Sequence, residues 1–257
     1  MTPHSSFAHH EPLTPDSSEF YFWLRQARRS EDPIVLLNAG VGRVALPLAY
    51  HTEHMRIVAV EANDELRKKG QGKTQKEGLE LAWQAGDATN FTLSSKAGMI
   101  ALPEYAFEQF LTLNAQQAAL RHIHRRLQIG GKLLLVLHLP NIQALAASQR
   151  HPNPTLQQFP PLTDPTTGQL IYVWQSETYH INEQTCSTHR IYEQVNESGQ
   201  TIRRWHHSTQ HAYLWPREVQ LLLESMKFDI EASYGGWNDE PLGHDSSVQV
   251  WVARKGV

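Results

Sequence analysis

Cysteine is almost absent from the sequence, since Cys186 is the only one among 257 residues. A single thiol cannot form an internal disulfide, and the chain lacks the paired-cysteine spacing that binds structural zinc. We therefore expect a cytoplasmic protein without a metal centre. Two groups of nearby histidines, His122 with His124 and His206-His207 with His211, are better explained as helix and strand surface in a chain that has 15 histidines.

An excess of positive charge is also missing, because 23 Lys and Arg face 26 Asp and Glu and the formal net charge is −3. This balance predicts no nucleic-acid partner, since a phosphate backbone requires clustered cations. The longest apolar run, residues 133–139, is far shorter than the ~20 residues of a membrane-spanning helix. The N-terminal residues lack the charged start and apolar run of an export signal. No membrane partner is expected.

Short apolar segments alternate with amphipathic ones up to Pro140. The segment Ile34-Val35-Leu36-Leu37 is continuously apolar, which is typical of a strand buried on both faces of a parallel sheet. The same reasoning predicts strands at 56–61, 81–85, 98–102 and 132–139, and helices from residue 20 and at 43–50, 65–78 and 114–127, the last capped by Gly130-Gly131. This alternation predicts an α/β protein with a doubly wound, mostly parallel sheet.

The composition of the sequence changes after Pro140. Residues 141 to about 167 are rich in proline and predict an irregular excursion. Stretches at 171–180, 189–195 and 201–214 predict antiparallel strands, and residues 216–227, 228–234 and 247–254 predict a last helix and two strands. We therefore divide the chain into a flexible N-terminal arm (1–18), an α/β core (19–140 and 213–257) and an inserted excursion with an antiparallel β lid (141–212).

A glycine-bearing turn follows the first predicted strand. Gly40 and Gly42 precede a helix, so a ligand can approach backbone N–H groups there without meeting a Cβ. A dinucleotide-binding fingerprint would also require glycine at positions 38 and 43, which are Asn38 and Arg43 here. This disfavours a nicotinamide-dependent dehydrogenase. A tight turn that binds nothing remains an alternative.

Two acids follow neighbouring strands. Glu61 ends the second strand, 19 residues beyond Gly42, where a carboxylate can accept hydrogen bonds from both ribose hydroxyls of an adenosine ligand. Asp87 follows the third strand and could accept from the exocyclic amine of adenine. The alternatives are a surface acid or helix cap for Glu61 and a turn or capping aspartate for Asp87.

Several segments together carry a family resemblance. They are residues 34–49, 58–61, 86–87, 127–133, 213–223, 228 and 234–237. They resemble class I S-adenosylmethionine-dependent methyltransferases, and the last three resemble bacterial small-molecule members. The resemblance implies a Rossmann-like sheet of seven strands, S-adenosylmethionine as cofactor, and methyl transfer to nitrogen or oxygen of a small-molecule acceptor. The inserted strands correspond to a region that forms a lid or a homodimer surface in relatives.

The resemblance also implies roles for individual residues. Asn38, Gly40 and Gly42 would lie beneath the methionine and ribose moieties, Glu61 would bind the ribose hydroxyls, and Asp87 with Ala88 would edge the adenine. Leu102 and Pro103, at the end of the fourth strand, would line the passage between cofactor and substrate.

Two departures from the family pattern affect the functional interpretation. Leu36 replaces the usual loop acid and Asn38 the first loop glycine, and residues 104–110 lack the Asn and His of many relatives. A catalytically inactive binding or scaffolding subunit is therefore an alternative to an active enzyme. Candidates for a catalytic base, if one is used, are Glu104, Tyr105 and His138, whose alternatives are a surface acid, a packing aromatic and a core histidine.

Overall fold

The computed structural model describes residues 13–52, 54–103, 105–150, 155–164 and 167–256. These residues form two compact units. Of the described residues, those up to Leu139 and from Leu214 onward form the core unit, and those from Pro140 to Tyr213 form the inserted unit. Of the predicted arm, residues 1–12 lie outside the described residues, whereas Leu13 is buried and Ser17 caps the first helix by accepting from the Phe20 N–H at 3.2 Å.

The described residues contain the following helices and strands in chain order: α1 (Ser18–Arg28), β1 (Ile34–Leu37), α2 (Ala45–His51), β2 (Ile57–Val60), α3 (Asp64–Glu77), β3 (Leu81–Gln84), β4 (Ala97–Leu102), α4 (Leu113–Arg126), β5 (Leu127–His138), α5 (Ile142–Arg150), β6 (Gln157–Thr163), β7 (Leu170–His180), β8 (Thr185–Val195), β9 (Thr201–Ala212), α6 (Pro216–Ser225), β10 (Phe228–Tyr234) and β11 (Val248–Lys255).

The core unit contains a seven-stranded sheet in the order β10-β11-β5-β4-β1-β2-β3. Strands β1 to β5 are parallel, and only β11 and β10 run antiparallel to their neighbours. The predicted α/β fold with a mostly parallel sheet is thus confirmed. The chain proceeds from β1 towards β2 and β3 and then returns to the other side of β1 as β4. A topological switch point therefore lies between β1 and β4, where open α/β sheets bind ligands at the carboxyl ends of their strands.

The middle of the sheet is the centre of the hydrophobic core. All four residues of β1 are at most 1% exposed, and β4 is buried along its whole length. Burial on both faces explains why these strands are continuously apolar rather than alternating. Helix α1 contributes Phe20, Phe22 and Trp23 to the same cluster, where Trp23 is 0% exposed. Among the described residues, no helix is long and apolar enough to cross a membrane.

The predicted helix cap at Gly130-Gly131 is wrong. Helix α4 ends at Arg126 and the chain passes directly into β5 at Leu127. Gly130, at φ +74°, lies within the strand, and the β4–β5 register shifts between the Ala97 and Met99 pairings. A positive φ suits a β-bulge as well as a helix cap, and here pairing with β4 determines which one forms.

The inserted unit consists of α5 and a four-stranded antiparallel sheet in the order β6-β7-β8-β9. The prediction of an irregular excursion over 141–167 is wrong, because α5 and β6 lie there. Strand β6 contains Pro160 and Pro161, which fall in a register shift between Phe159 and Leu162 at the edge of the sheet. Proline is tolerated at such bulges on edge strands, where its missing N–H removes no ladder hydrogen bond.

Candidate active site

The turn after β1 is built from residues with left-handed backbone conformations. Asn38, Gly40 and Gly42 have φ values of +55°, +58° and +95°. Asparagine is among the few residues that adopt this region readily, so Asn38 preserves the conformation that a glycine would provide. The Ala39 N–H donates to the carbonyl of Val60 at 3.0 Å, which fixes the turn against the end of β2.

The two glycines are required for different reasons. A Cβ on Gly42 would lie 2.7 Å from Cγ of Leu46 in α2, so Gly42 permits close packing of the helix. A Cβ on Gly40 would meet no atom within 4 Å. The open space beside the Gly40 backbone is the feature that a closely bound ligand requires, and it lies at the carboxyl edge of β1, next to the switch point.

Glu61 is directed at this turn rather than at solvent. It is 3% exposed, and its two carboxylate oxygens each accept one backbone N–H at 2.8 Å, from Gly40 to Oε2 and from Asn63 to Oε1. An ionised carboxylate has about four acceptor positions, so these two contacts leave capacity for a pair of hydroxyls. The residues therefore fit the sugar of an adenosine ligand, and the ribose role of Glu61 stays a prediction.

Asp87 is engaged in a local turn. Its Oδ1 accepts from the backbone N–H of Thr89 at 2.7 Å and from the Thr89 hydroxyl at 2.6 Å, while its own N–H donates to Oδ1 of Asn90 at 2.8 Å. These contacts are those of the turn-aspartate alternative. Ala88 beside it is 3% exposed. The adenine contacts of Asp87 and Ala88 remain predictions.

Leu102 and Pro103, which were predicted to line the passage between cofactor and substrate, differ in their exposure. Leu102 pairs with Leu135 of β5 and is 0% exposed, so its side chain is buried rather than on an open passage. Pro103 is half-buried and follows directly. Of this pair, only Pro103 presents surface at the carboxyl edge of β4.

Two of the three candidates for a catalytic base lie side by side. Tyr105, at φ +62°, and His138, the last residue of β5, stack their rings with centroids 4.1 Å apart at an angle of 28°. The third candidate, Glu104, lies outside the described residues. The structure therefore brings together two candidates that are 33 positions apart in the sequence.

Glu108 joins these two residues and was missed by the sequence reasoning. Its carboxylate is 1% exposed and accepts from the backbone N–H of Tyr105 at 2.9 Å and that of His138 at 3.0 Å. Both oxygens lie 3.3 Å from Nδ1 of His138. The available signal was an acid in the short segment after β4, at the same sheet edge as His138. We call these three residues the Tyr105–Glu108–His138 cluster.

Arg43 connects the glycine turn to α1. Its guanidinium donates to both oxygens of Glu19, at 2.6 and 3.1 Å, and Glu19 also accepts from the indole N–H of Trp23 at 3.2 Å. The Arg43 and Glu19 side chains are 21% and 14% exposed. This paired geometry is the strong form of a charge-assisted hydrogen bond. The residue that breaks the dinucleotide fingerprint thus has a structural role in holding the turn.

Comparison with known proteins agrees with this geometry. Residues 34–131 match the family model of a methyltransferase domain, and no curated protein sequence matches the chain. The fold is similar to that of the CcbJ methyltransferase from Streptomyces caelestis, with a TM-score of 0.77 and 19% identity over 96% of this chain and 91% of that one. The fold is also similar to that of an S-adenosylmethionine-dependent methyltransferase from Clostridium acetobutylicum, with a TM-score of 0.75 and 12% identity over 93% of this chain and 92% of that one.

A third solved structure is CalS10, an amino pentose methyltransferase from Micromonospora echinaspora with S-adenosylmethionine bound, with a TM-score of 0.67 and 15% identity over 96% of this chain and 100% of that one. The fold is therefore the Rossmann-like methyltransferase fold, and the resemblance to class I S-adenosylmethionine-dependent methyltransferases is confirmed. The methyltransferase-domain match, together with similar structures that hold S-adenosylmethionine or sinefungin, indicates S-adenosylmethionine as the cofactor.

Proposed function

We propose that this protein is an S-adenosylmethionine-dependent methyltransferase that transfers a methyl group to nitrogen or oxygen of a small molecule. The observation that carries this proposal is the turn after β1, where the open space beside Gly40 adjoins the buried carboxylate of Glu61. This turn lies in the segment that matches a methyltransferase domain.

The chain's own residues have mainly binding and orienting tasks. Gly40 allows close approach to the backbone, and Glu61 retains acceptor positions for two hydroxyls. A bound S-adenosylmethionine supplies an activated methyl group on a sulfonium, so the protein chiefly has to align the acceptor and exclude water. Such alignment lowers the activation free energy by up to roughly 7–11 kcal/mol in favourable cases.

A nitrogen acceptor on a sugar is the first class to test. Similar solved structures include the sugar N-methyltransferase KedS8 from Streptoalloteichus, with 12% identity, and the glycopeptide N-methyltransferase MtfA, with 13% identity. These proteins support the choice of probes, not an assignment of the acceptor. A suitable panel contains amino sugars, simple amines and phenols, assayed for methyl transfer from labelled S-adenosylmethionine.

Calorimetric titration with S-adenosylmethionine and S-adenosylhomocysteine tests the cofactor site directly. Saturable binding is expected for the wild-type protein, and Gly40→Arg should abolish it by filling the open space. The matched control is Gly78→Arg, because Gly78 caps α3 at φ +65° and a Cβ there would also meet no atom within 4 Å. Both variants introduce a side chain at a similar positive φ, and only Gly40→Arg should lose binding.

The proposal fails if the wild-type protein gives neither heat nor a thermal shift at millimolar cofactor. Wild-type affinity in Gly40→Arg would show instead that the turn is not the site.

A catalytically inactive binding or scaffolding subunit is the second candidate function. One support is Leu36, which is 0% exposed at a position where relatives usually have an acid. The other is that two backbone N–H groups already donate to the carboxylate of Glu61. Saturable cofactor binding without methyl transfer to any member of the panel would support this candidate. Transfer to any one of them would exclude it.

We further propose that the antiparallel sheet of the inserted unit forms a homodimer surface. The sheet exposes large apolar side chains, among them Phe159 at 41% and Ile202 at 52%. Apolar groups on a sheet surface favour association. Sedimentation equilibrium should give twice the monomer mass for the wild type, and Ile202→Glu should shift the equilibrium towards monomer. A monomeric wild type at high micromolar concentration would refute this.

A further inference from the structure

Glu108 is a buried carboxylate that forms no ion pair with Lys or Arg in the part of the chain that the structure describes. Its side chain is 1% exposed, and an isolated buried carboxylate is costly unless several donors compensate it. The backbone N–H groups of Tyr105 and His138 provide two donors, one on each oxygen. These two contacts orient the carboxylate so that both of its oxygens face the His138 ring.

The geometry favours one ring nitrogen of His138 as the proton carrier when Glu108 is ionised. Nδ1 lies 3.3 Å from each oxygen of Glu108, and an ionised carboxylate only accepts hydrogen bonds. Nδ1 therefore donates, and Nε2 is the basic atom of the neutral ring. The side chain of His138 is 29% exposed, so the ring is reachable from solvent although Glu108 is not.

The place of His138 in the sheet relates it to the glycine turn. It ends β5, which is separated from β1 by β4 alone. Two strand spacings amount to about 10 Å. His138 and the turn thus lie at the same carboxyl edge, on either side of the switch point where an acceptor would meet the cofactor.

We propose that His138 is the proton acceptor of the methyl-transfer reaction and that Glu108 is the positioning residue that fixes its tautomer and orientation, for an acceptor that presents a hydroxyl or an ammonium group. This inference rests on the proposed function. The acceptor's proton passes to Nε2 of His138, and for an ammonium this transfer comes first because its nitrogen has no lone pair. The oxygen or nitrogen lone pair then forms the bond to the methyl carbon, while the carbon–sulfur bond breaks with its electron pair passing to sulfur. The resulting imidazolium faces the negative charge of Glu108.

Two titratable side chains of the described residues contact the His138 ring. They are the Glu108 carboxylate, at Nδ1, and the Tyr105 phenol, whose ring stacks on the imidazole. The Tyr105 side chain contributes an aromatic ring and a hydroxyl group. Of the two, Glu108 is therefore the group that brings a charge to the ring.

The tautomer and basicity of His138 can be measured without a known acceptor. Protein labelled with ¹⁵N-histidine is examined by two-bond nitrogen–proton NMR, both without ligand and with S-adenosylhomocysteine added. His138 is assigned by its absence in His138→Gln. In parallel, the rate of carbethoxylation of His138 by diethyl pyrocarbonate is followed against pH by peptide mass spectrometry. Exposed His54 is the internal reference.

We expect the Nδ1–H tautomer in the wild type. In Glu108→Gln the midpoint for modification of His138 should fall by about one pH unit, because the opposite charge beside the ring is removed, while the midpoint of His54 stays unchanged. An Nε2–H tautomer in the wild type, or an unchanged His138 midpoint in Glu108→Gln, overturns the positioning role. If Glu108→Gln does not fold, the wild-type tautomer decides the question.

The role as proton acceptor is tested on the panel member that the wild type methylates fastest. His138→Gln keeps the backbone N–H that binds Glu108 and should lower kcat by about 10²–10⁴-fold, with the KM for S-adenosylmethionine within about twofold of wild type. An unchanged kcat overturns the base role. Failure of the wild type to bind S-adenosylhomocysteine would refute the proposed function instead, and the NMR result on the His138–Glu108 pair would be unaffected by that failure.

Discussion

Replacing Glu61 by glutamine is expected to weaken both the fold and the cofactor site. Each carboxylate oxygen of Glu61 accepts a backbone N–H at 2.8 Å, from Gly40 and from Asn63. Glutamine retains one oxygen but points an NH₂ group at the other donor, which leaves a buried N–H without a partner. Such a loss costs about 1–3 kcal/mol, which corresponds to a decrease in Tm of roughly 2–12 °C for a chain of this size.

The same substitution tests the predicted ribose contact. Loss of a charged hydrogen bond costs about 1.5–3 kcal/mol, or roughly a ten- to hundredfold loss of affinity for S-adenosylhomocysteine. Differential scanning calorimetry and titration calorimetry measure the two effects separately. The control is Glu77→Gln, because Glu77 is an exposed residue at the end of α3. A Tm like that of the control would refute the hydrogen-bond assignment, and wild-type affinity would refute the ribose contact.

Three further outcomes are expected. Glu19→Gln removes one charge of the pair with Arg43 and should lower the free energy of unfolding by about 1–2 kcal/mol, measured by urea denaturation; an unchanged midpoint would contradict this. Burial raises the pKa of the Cys186 thiol to about 12, so only about one thiol in 10⁴ is ionised at pH 8. Ellman's reagent should therefore react with Cys186 only after unfolding. Reaction of the native protein at the rate of a free thiol would be inconsistent with that burial. Gly98→Ala places a Cβ 1.9 Å from the carbonyl oxygen of Glu31 and should lower the free energy of unfolding by more than about 3 kcal/mol. In the control Gly72→Ala the new Cβ meets no atom within 4 Å, so this variant should be neutral or stabilising. Equal thermal midpoints for the two variants would disprove the packing argument.

The parallel part of the fold was predictable because its signals are local. The run Ile34–Leu37 is apolar at every position since both faces of β1 are covered, and the turn that follows is marked by glycines. The elements that were missed depend on pairing instead. Gly130 looks like a helix cap in sequence, yet its positive φ serves the β4–β5 register shift. In β6, the prolines obscured an edge strand that exists through its ladder with β7.

The candidate site shows the same division between local and non-local information. Gly40 and Glu61 were predictable from their positions at strand ends, because the carboxyl ends of parallel strands share one edge. Glu108 was not, because its significance depends on a contact with His138 across 30 positions of sequence. Nothing in the segment after β4 indicates that this acid is buried. The pairing of β4 with β5 brings Glu108 to the backbone N–H and the ring of His138.

The two departures of the glycine turn from the family pattern have different physical consequences. Asn38 keeps a φ of +55°, so the backbone path of the turn is retained. Leu36 is 0% exposed within the central cluster of the core, so an acid at that position would be a buried charge unless a ligand or a polar partner compensated it. By the resemblance, leucine here would remove one interaction with the cofactor, and it avoids the cost of holding a carboxylate in the core. Under the proposed function, the open side of Gly40 and the carboxylate of Glu61 would supply cofactor contacts that do not depend on that acid. For this reason the Glu61→Gln titration separates a weakened cofactor site from an abandoned one.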